Sequence, residues 1–199
     1  IVYIEKNIFD NTLMSNKPKI AIFITSFLIL FLELAFIRYL PSQIPYLAFY
    51  ANFILLACFV GMGTGVFLAR KSIKLIWIFP WFLLITVAFS VLFAVSIYPD
   101  SQGEIHQITT GFRGLVLPHF IGVPLVFLLV AVCFTLLSQQ LGIYLNRLSP
   151  LIAYTWDILG SLMGIAAFTL NSFLGANPLI WFGSFSIVFL ILKMERSNR

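Results

Sequence analysis

The chain has 199 residues, of which 61% are hydrophobic and 10% charged, with a formal charge of +5 and a mean hydropathy of +1.03. An ordinary soluble domain carries about 25% charged residues, and a small fold has too little interior to hide this much apolar surface. The composition excludes a soluble enzyme, a disordered chain and a secreted disulfide scaffold, and it leaves an integral membrane protein.

Residues 1–19 form an N-terminal cytoplasmic or interfacial segment that starts at Ile1 rather than Met, which reads as a trimmed end. Ile1, Ile4, Ile8 and Phe9 suit a short interfacial helix. The step Lys17-Pro18-Lys19 is expected to break it, because proline lacks the amide hydrogen and its ring crowds the preceding turn. Six apolar runs follow, at 20–39, 46–69, 75–98, 117–140, 151–170 and 178–192. Most approach the roughly 20 residues that cross about 30 Å of hydrocarbon. They are apolar on every face, whereas barrel strands alternate. The expected fold class is therefore all-α: a polytopic membrane bundle of six transmembrane helices over 20–192, with a tail at 193–199.

Charge sets the expected orientation. With the N-terminus inside, six spans return the C-terminus to the same side. Ten basic residues then lie inside: Lys6, Lys17, Lys19, Arg70, Lys71, Lys74, Arg147, Lys193, Arg196 and Arg199. Arg38 and Arg113 alone lie outside. That asymmetry fits the cytoplasmic excess of Lys and Arg in short loops and implies a multi-pass protein of the bacterial inner membrane. The one sizeable loop, 99–116, is then external, and its polar sequence reads as a solvated connector, with a lid or docking surface as the alternative.

Three sets of residues stand out within the spans. Glu33 and Asp157 are intramembrane acids, and each needs a protein or water partner because lipid offers no donor. Arg38 is the nearest base to Glu33, but a spacing of five puts the two about 140° apart on a helix. Both a packing clamp and a proton or substrate path remain open to these acids. Ala57, Gly61, Gly65 and Ala69 recur every four positions in the second span, and Gly160, Ser161 and Gly164 make a similar face in the fifth. Such small-residue stripes let helices approach closely, and the two stripes are expected to face each other. Gly61 to Gly65, GMGTG, is not a phosphate loop, since no lysine follows in place and no strand precedes it. His119 is the candidate ligand for a pigment or haem, although an interfacial polar residue is the plainer reading of both His119 and His106. Asp100, Glu104 and His106 lack the spacing of a metal motif, and Cys58 and Cys133 read as small buried hydrophobes. No catalytic constellation is present in the sequence.

Three stretches carry a resemblance: LELAFIRYL at 32–40, YANFILLACFVGMGTGVFLAR at 50–70, and LSQQLGIYLNRLSPLIAYTWDILGSLMGIAAF at 137–168. In order and spacing the chain resembles the membrane-spanning part of bacterial spermidine synthase-like integral membrane proteins. The resemblance implies a helical bundle ahead of a soluble, Rossmann-type aminopropyltransferase-like domain. After residue 192 only KMERSNR remains, so the resemblance assigns no catalytic residue here. Glu33, Arg38 and Asp157 match its membrane motif.

Two functions are expected from these observations. The first is a non-catalytic accessory or scaffold subunit of a larger membrane complex of respiratory or photosynthetic type, packing through small-residue faces. The second is the membrane anchor, or a small-cation transport domain, of a spermidine synthase-like enzyme. The expected partners are other integral membrane subunits and lipids, not nucleic acid. The expected bound molecules are lipid, with pigment or haem contact as the alternative.

Overall fold

The computed structural model describes the backbone of residues 2–71, 75–96 and 115–197, and the side-chain surroundings of most of 17–92 and 120–190. Helix α1 spans Val2–Gln43, a 3-10 helix Pro45–Tyr50, α2 Ala51–Leu68, α3 Phe79–Leu92, α4 His119–Leu145, α5 Pro150–Phe173 and α6 Pro178–Ser197. Strands β1, Phe93–Ser96, and β2, Leu115–Pro118, pair in parallel at one end. Among the described residues the fold is all-α apart from this short ladder. Three helical segments are long and apolar enough to cross a membrane: Lys17–Gln43, Phe120–Leu145 and Pro150–Phe173. Asn52–Leu68, Phe79–Leu92 and Pro178–Leu190 are shorter apolar helices.

Several boundaries differ from the sequence expectation. Helix α1 runs unbroken through Pro18 and Pro41. A proline inside a helix forfeits one hydrogen bond to the carbonyl four residues back, but its ring fixes φ near the helical value, so the helix can continue through that local defect. The second span begins at Ala51 rather than 46, because Pro45–Tyr50 winds as a tighter 3-10 turn. The third ends at Leu92 rather than 98, because Phe93–Ser96 pairs with Leu115–Pro118. Helix α6 continues past residue 192 to Ser197. Of the loop expected at 99–116, residues 99–114 lie outside the described residues, as do 97 and 98.

The helices alternate in direction. Gly61 meets Ala131 and Phe134, and Gly65 meets Thr135 and Ser138, so α2 and α4 run parallel. Gly160 meets Phe23, Gly164 meets Phe27 and Phe168 meets Phe31, so α1 and α5 run parallel. Phe36 stacks edge-on with Phe134, while Ile22 clusters with Tyr144, so α1 and α4 are antiparallel. Leu75 bonds Gln139 and Thr86 bonds Cys133, so α3 opposes α4. The start of α6 lies by the ends of α1 and α5, through Arg38, Phe168 and Trp181, and its later Phe189 reaches Phe79 at the start of α3.

Helix α1 is the central post. It packs against α5, α4, α6 and α2, and 61% of its most apolar window is buried. The corresponding share of α5 is 22%, so α5 lies at the margin, held on one face by α1. Aromatic rings fill the centre: Phe31, Phe36, Phe79, Phe134 and Phe185 are fully buried. Edge-to-face and tilted ring pairs such as Phe36–Phe134 and Phe79–Phe189 add about 0.5–1.5 kcal/mol each beyond area burial.

Candidate functional site: polar groups inside the bundle

Asp157 is half-buried on the face of α5 that meets α1, and Ser26 Oγ donates to its Oδ1 at 2.5 Å. The partner is a hydroxyl on the neighbouring helix, α1. Ser26 itself is buried, and Thr25 beside it turns its hydroxyl back to the carbonyl of Ala21. Glu33 is buried as deeply, at 5% exposure, yet its carboxyl has no hydrogen-bond partner among the described residues. The sequence expectation of a bond to Glu33 is therefore not met within them. Arg38 does not supply one: it is exposed, and its guanidinium lies over the ring of Trp181 at 5.4 Å from the centroid. The 140° separation along α1 keeps the acid inside and the base outside.

The other polar contacts also join one helix to the next. Thr64 on α2 and Thr135 on α4 share a hydroxyl bond at 2.7 Å. Thr86 on α3 meets Cys133 on α4 at 3.4 Å, and Ser90 on α3 meets the hydroxyl of Tyr39 on α1 at 3.4 Å. Gln139 Oε1 accepts from Leu75 N at 3.3 Å, fixing the chain just before α3. Among the described residues no group of three or more His, Cys, Asp or Glu side chains is placed to hold a metal ion.

The glycine stripes lie at helix contacts, but not against each other. A Cβ on Gly61 would overlap the carbonyl oxygen of Ala131 and stand 2.7 Å from Phe134 Cβ. A Cβ on Gly65 would overlap Ser138 Oγ and Thr135 O. Both glycines thus face α4, not α5, and Ala57 in the same stripe is fully buried. Ala69 ends the stripe against Gly142 of α4. Gly160 and Gly164 instead press on the backbone of Phe23 and Phe27 in α1. Ser161 is half-buried beside them. The mutual pairing expected from sequence fails because a small-residue face requires only a backbone opposite it, and does not specify which helix supplies one. Helix α4 has its own stripe in Ala131, Thr135, Ser138 and Gly142, whose spacing of three to four was readable but hidden among larger neighbours.

Ser26, Thr135, Ser138 and Gln139 are the residues that sequence reasoning missed. Each is a polar group inside an apolar run, which was the available signal, but Ser and Thr hydroxyls can also satisfy themselves on their own helix. Thr135 and Ser138 indeed bond the carbonyls of Ala131 and Phe134 as well. His119 opens α4, and its side chain, the candidate pigment or haem ligand, lies outside the described residues, as do Asp100, Glu104 and His106. Comparison of the chain with protein-family models, curated proteins and solved structures finds no match.

Proposed function

We propose that the chain is a six-span, non-catalytic accessory or scaffold subunit of a larger assembly of respiratory or photosynthetic type in a bacterial inner membrane, with both termini cytoplasmic. The alternation of helix direction supports six crossings, with α2, α3 and α6 completing the three longer spans. The supporting observation for a scaffold role is how the interior polar groups are used. Asp157 on α5 is tied by Ser26 on α1, Ser90 on α3 by Tyr39 on α1, and Thr86 on α3 by Cys133 on α4, so each pair joins two helices. Helix α5 adds a broad apolar surface, with Tyr154, Leu162, Leu170 and Phe173 all exposed, that this bundle leaves to lipid or to other membrane subunits. The test is cross-linking in native membranes from a cysteine at Leu162 on α5. An adduct between this chain and a different membrane subunit is expected, and a chain that cross-links only to lipid probes, and migrates as a monomer after mild solubilisation, rules the reading out.

A second reading has one observation in its favour. Glu33 is a buried acid in mid-span with no donor among the described residues, which suits a protonatable or cation-carrying group better than a clamp. It fits the small-cation transport or anchor domain of a spermidine synthase-like enzyme. Cation flux into liposomes that is abolished by Glu33→Gln would favour it, and the intact mass of the native chain reports whether a soluble domain is attached.

A further inference from the structure

The end of the bundle where α1 and α5 finish holds a pocket of about 510 Å³ between Arg38, Ser42, Trp181 and the turn Gly175–Asn177. The chain builds it simply. Arg38 and Ser42 are four apart and share a face of α1. Gly175, at φ 66°, adopts the left-handed conformation that ends α5, and this turn carries Asn177 to the start of α6. Asn177 Oδ1 accepts from Leu179 N at 3.4 Å, which leaves its Nδ2 hydrogens without an acceptor among the described residues. Trp181 backs the guanidinium of Arg38 with its ring and is itself 5% exposed, and its indole N–H is buried with no acceptor among the described residues.

The lining therefore holds a full positive charge and a free amide donor, and no carboxylate. Arg38 has no ion pair among the described residues. A guanidinium presents its donors in a planar fork that matches two oxygens of a phosphate, and the volume lies in the range of small-ligand sites. Phe173, Leu174 and Leu179, next to the lining in the chain, are exposed by 88%, 78% and 79%, which gives the pocket apolar flanks. We propose that this pocket binds an anionic phosphate group, that of a phospholipid headgroup, with Arg38 as the forked partner and Asn177 as the second donor. The site does not depend on the scaffold reading, since it uses only side chains of this chain.

The test uses the whole chain purified in an uncharged detergent. Short-chain phosphatidylglycerol, phosphatidylcholine and inorganic phosphate are titrated separately, with tryptophan fluorescence and the melting midpoint as readouts. Both lipids offer a phosphate to Arg38, but the choline cation of phosphatidylcholine would meet a lining that holds a guanidinium and no carboxylate, so phosphatidylglycerol should bind about tenfold more tightly. Arg38→Gln should remove that preference. Lys71→Gln, at the basic opposite end, should leave it intact, which separates the pocket from general attraction of anionic lipid. Asn177→Ala, on an exposed turn, should weaken phosphatidylglycerol by about threefold and covers the case in which Arg38→Gln does not fold. Saturation by inorganic phosphate alone, lost in Arg38→Gln, keeps the phosphate chemistry and moves its source from lipid to solution. Equal affinity for the two lipids with no response to phosphate, or a preference unchanged in the Arg38 and Asn177 variants, overturns the proposal.

Discussion

Two glycines two residues apart on α2 give the sharpest mechanical test of the bundle. A methyl group on Gly61 would overlap the backbone of Ala131 and lie 2.7 Å from Phe134 Cβ, whereas one on Gly63 would meet nothing within 4 Å. Both substitutions to alanine gain the same helix propensity, about 1 kcal/mol at an exposed helical site. That gain cancels when the two variants are compared with each other. What remains is the steric cost of separating α2 from α4, about 1–3 kcal/mol for an overpacked contact. Backbone cannot rotate away as a side-chain tip can, so the upper part of that range is expected. The assay is reversible unfolding in mixed micelles, followed by far-UV circular dichroism as the fraction of denaturing detergent rises. Gly63→Ala should match or exceed the parent, and Gly61→Ala should unfold earlier by the steric difference. Equal midpoints for the two variants would show that Gly61 does not face α4.

At the other small-residue face, Gly164→Leu should destabilise by a similar amount, about 1–3 kcal/mol, measured in the same unfolding assay. Ser26→Ala and Asp157→Ala should be non-additive, with a coupling of about 0.6–1.7 kcal/mol in a double-mutant cycle, the range of hydrogen bonds between membrane helices. Asp157→Asn should be mild, because the amide retains both size and an acceptor for the Ser26 hydroxyl. Glu33→Leu should leave the midpoint unchanged or raise it, since removal of a buried polar group without a donor relieves its desolvation cost. A clear fall in the Glu33→Leu midpoint would mean that the carboxyl is bonded in the membrane.

Much of the architecture was legible because hydrocarbon imposes one strong rule: backbone polar groups must be satisfied within the segment, so long apolar runs become helices. Each of the six helices overlaps one of the apolar runs, although α1 begins at Val2, well ahead of its run. The ends were less legible, because apolarity does not distinguish a helix from a short strand. Phe93–Ser96 is as apolar as the helix before it, and only its pairing with Leu115–Pro118 reveals a ladder. Pro18 misled in the opposite direction, since a proline costs one hydrogen bond but its fixed φ is compatible with a continuing helix. For the interior polar groups, the need of Asp157 for a protein or water partner followed from energetics, but Ser26 as that partner depends on the parallel packing of α1 and α5. The same missing information explains the glycine faces: the sequence contains the grooves, whereas tertiary packing decides what enters them. The pocket at Arg38 was beyond sequence reasoning altogether, because Arg38 and Asn177 are brought together by the turn at Gly175.

The six-span topology is tested most directly by sided labelling of single cysteines in intact cells. Cys58 and Cys133 are first replaced by alanine, and one cysteine is then introduced at Ser42, Lys71, Ser101, Ser149 or Asn177. A membrane-impermeant maleimide added from outside should label the cysteines at positions 42, 101 and 177, and those at 71 and 149 should react only after the membrane is opened. Labelling at 71 or 149 from outside, or failure of 177 to react from the same side as 42, would contradict six alternating crossings.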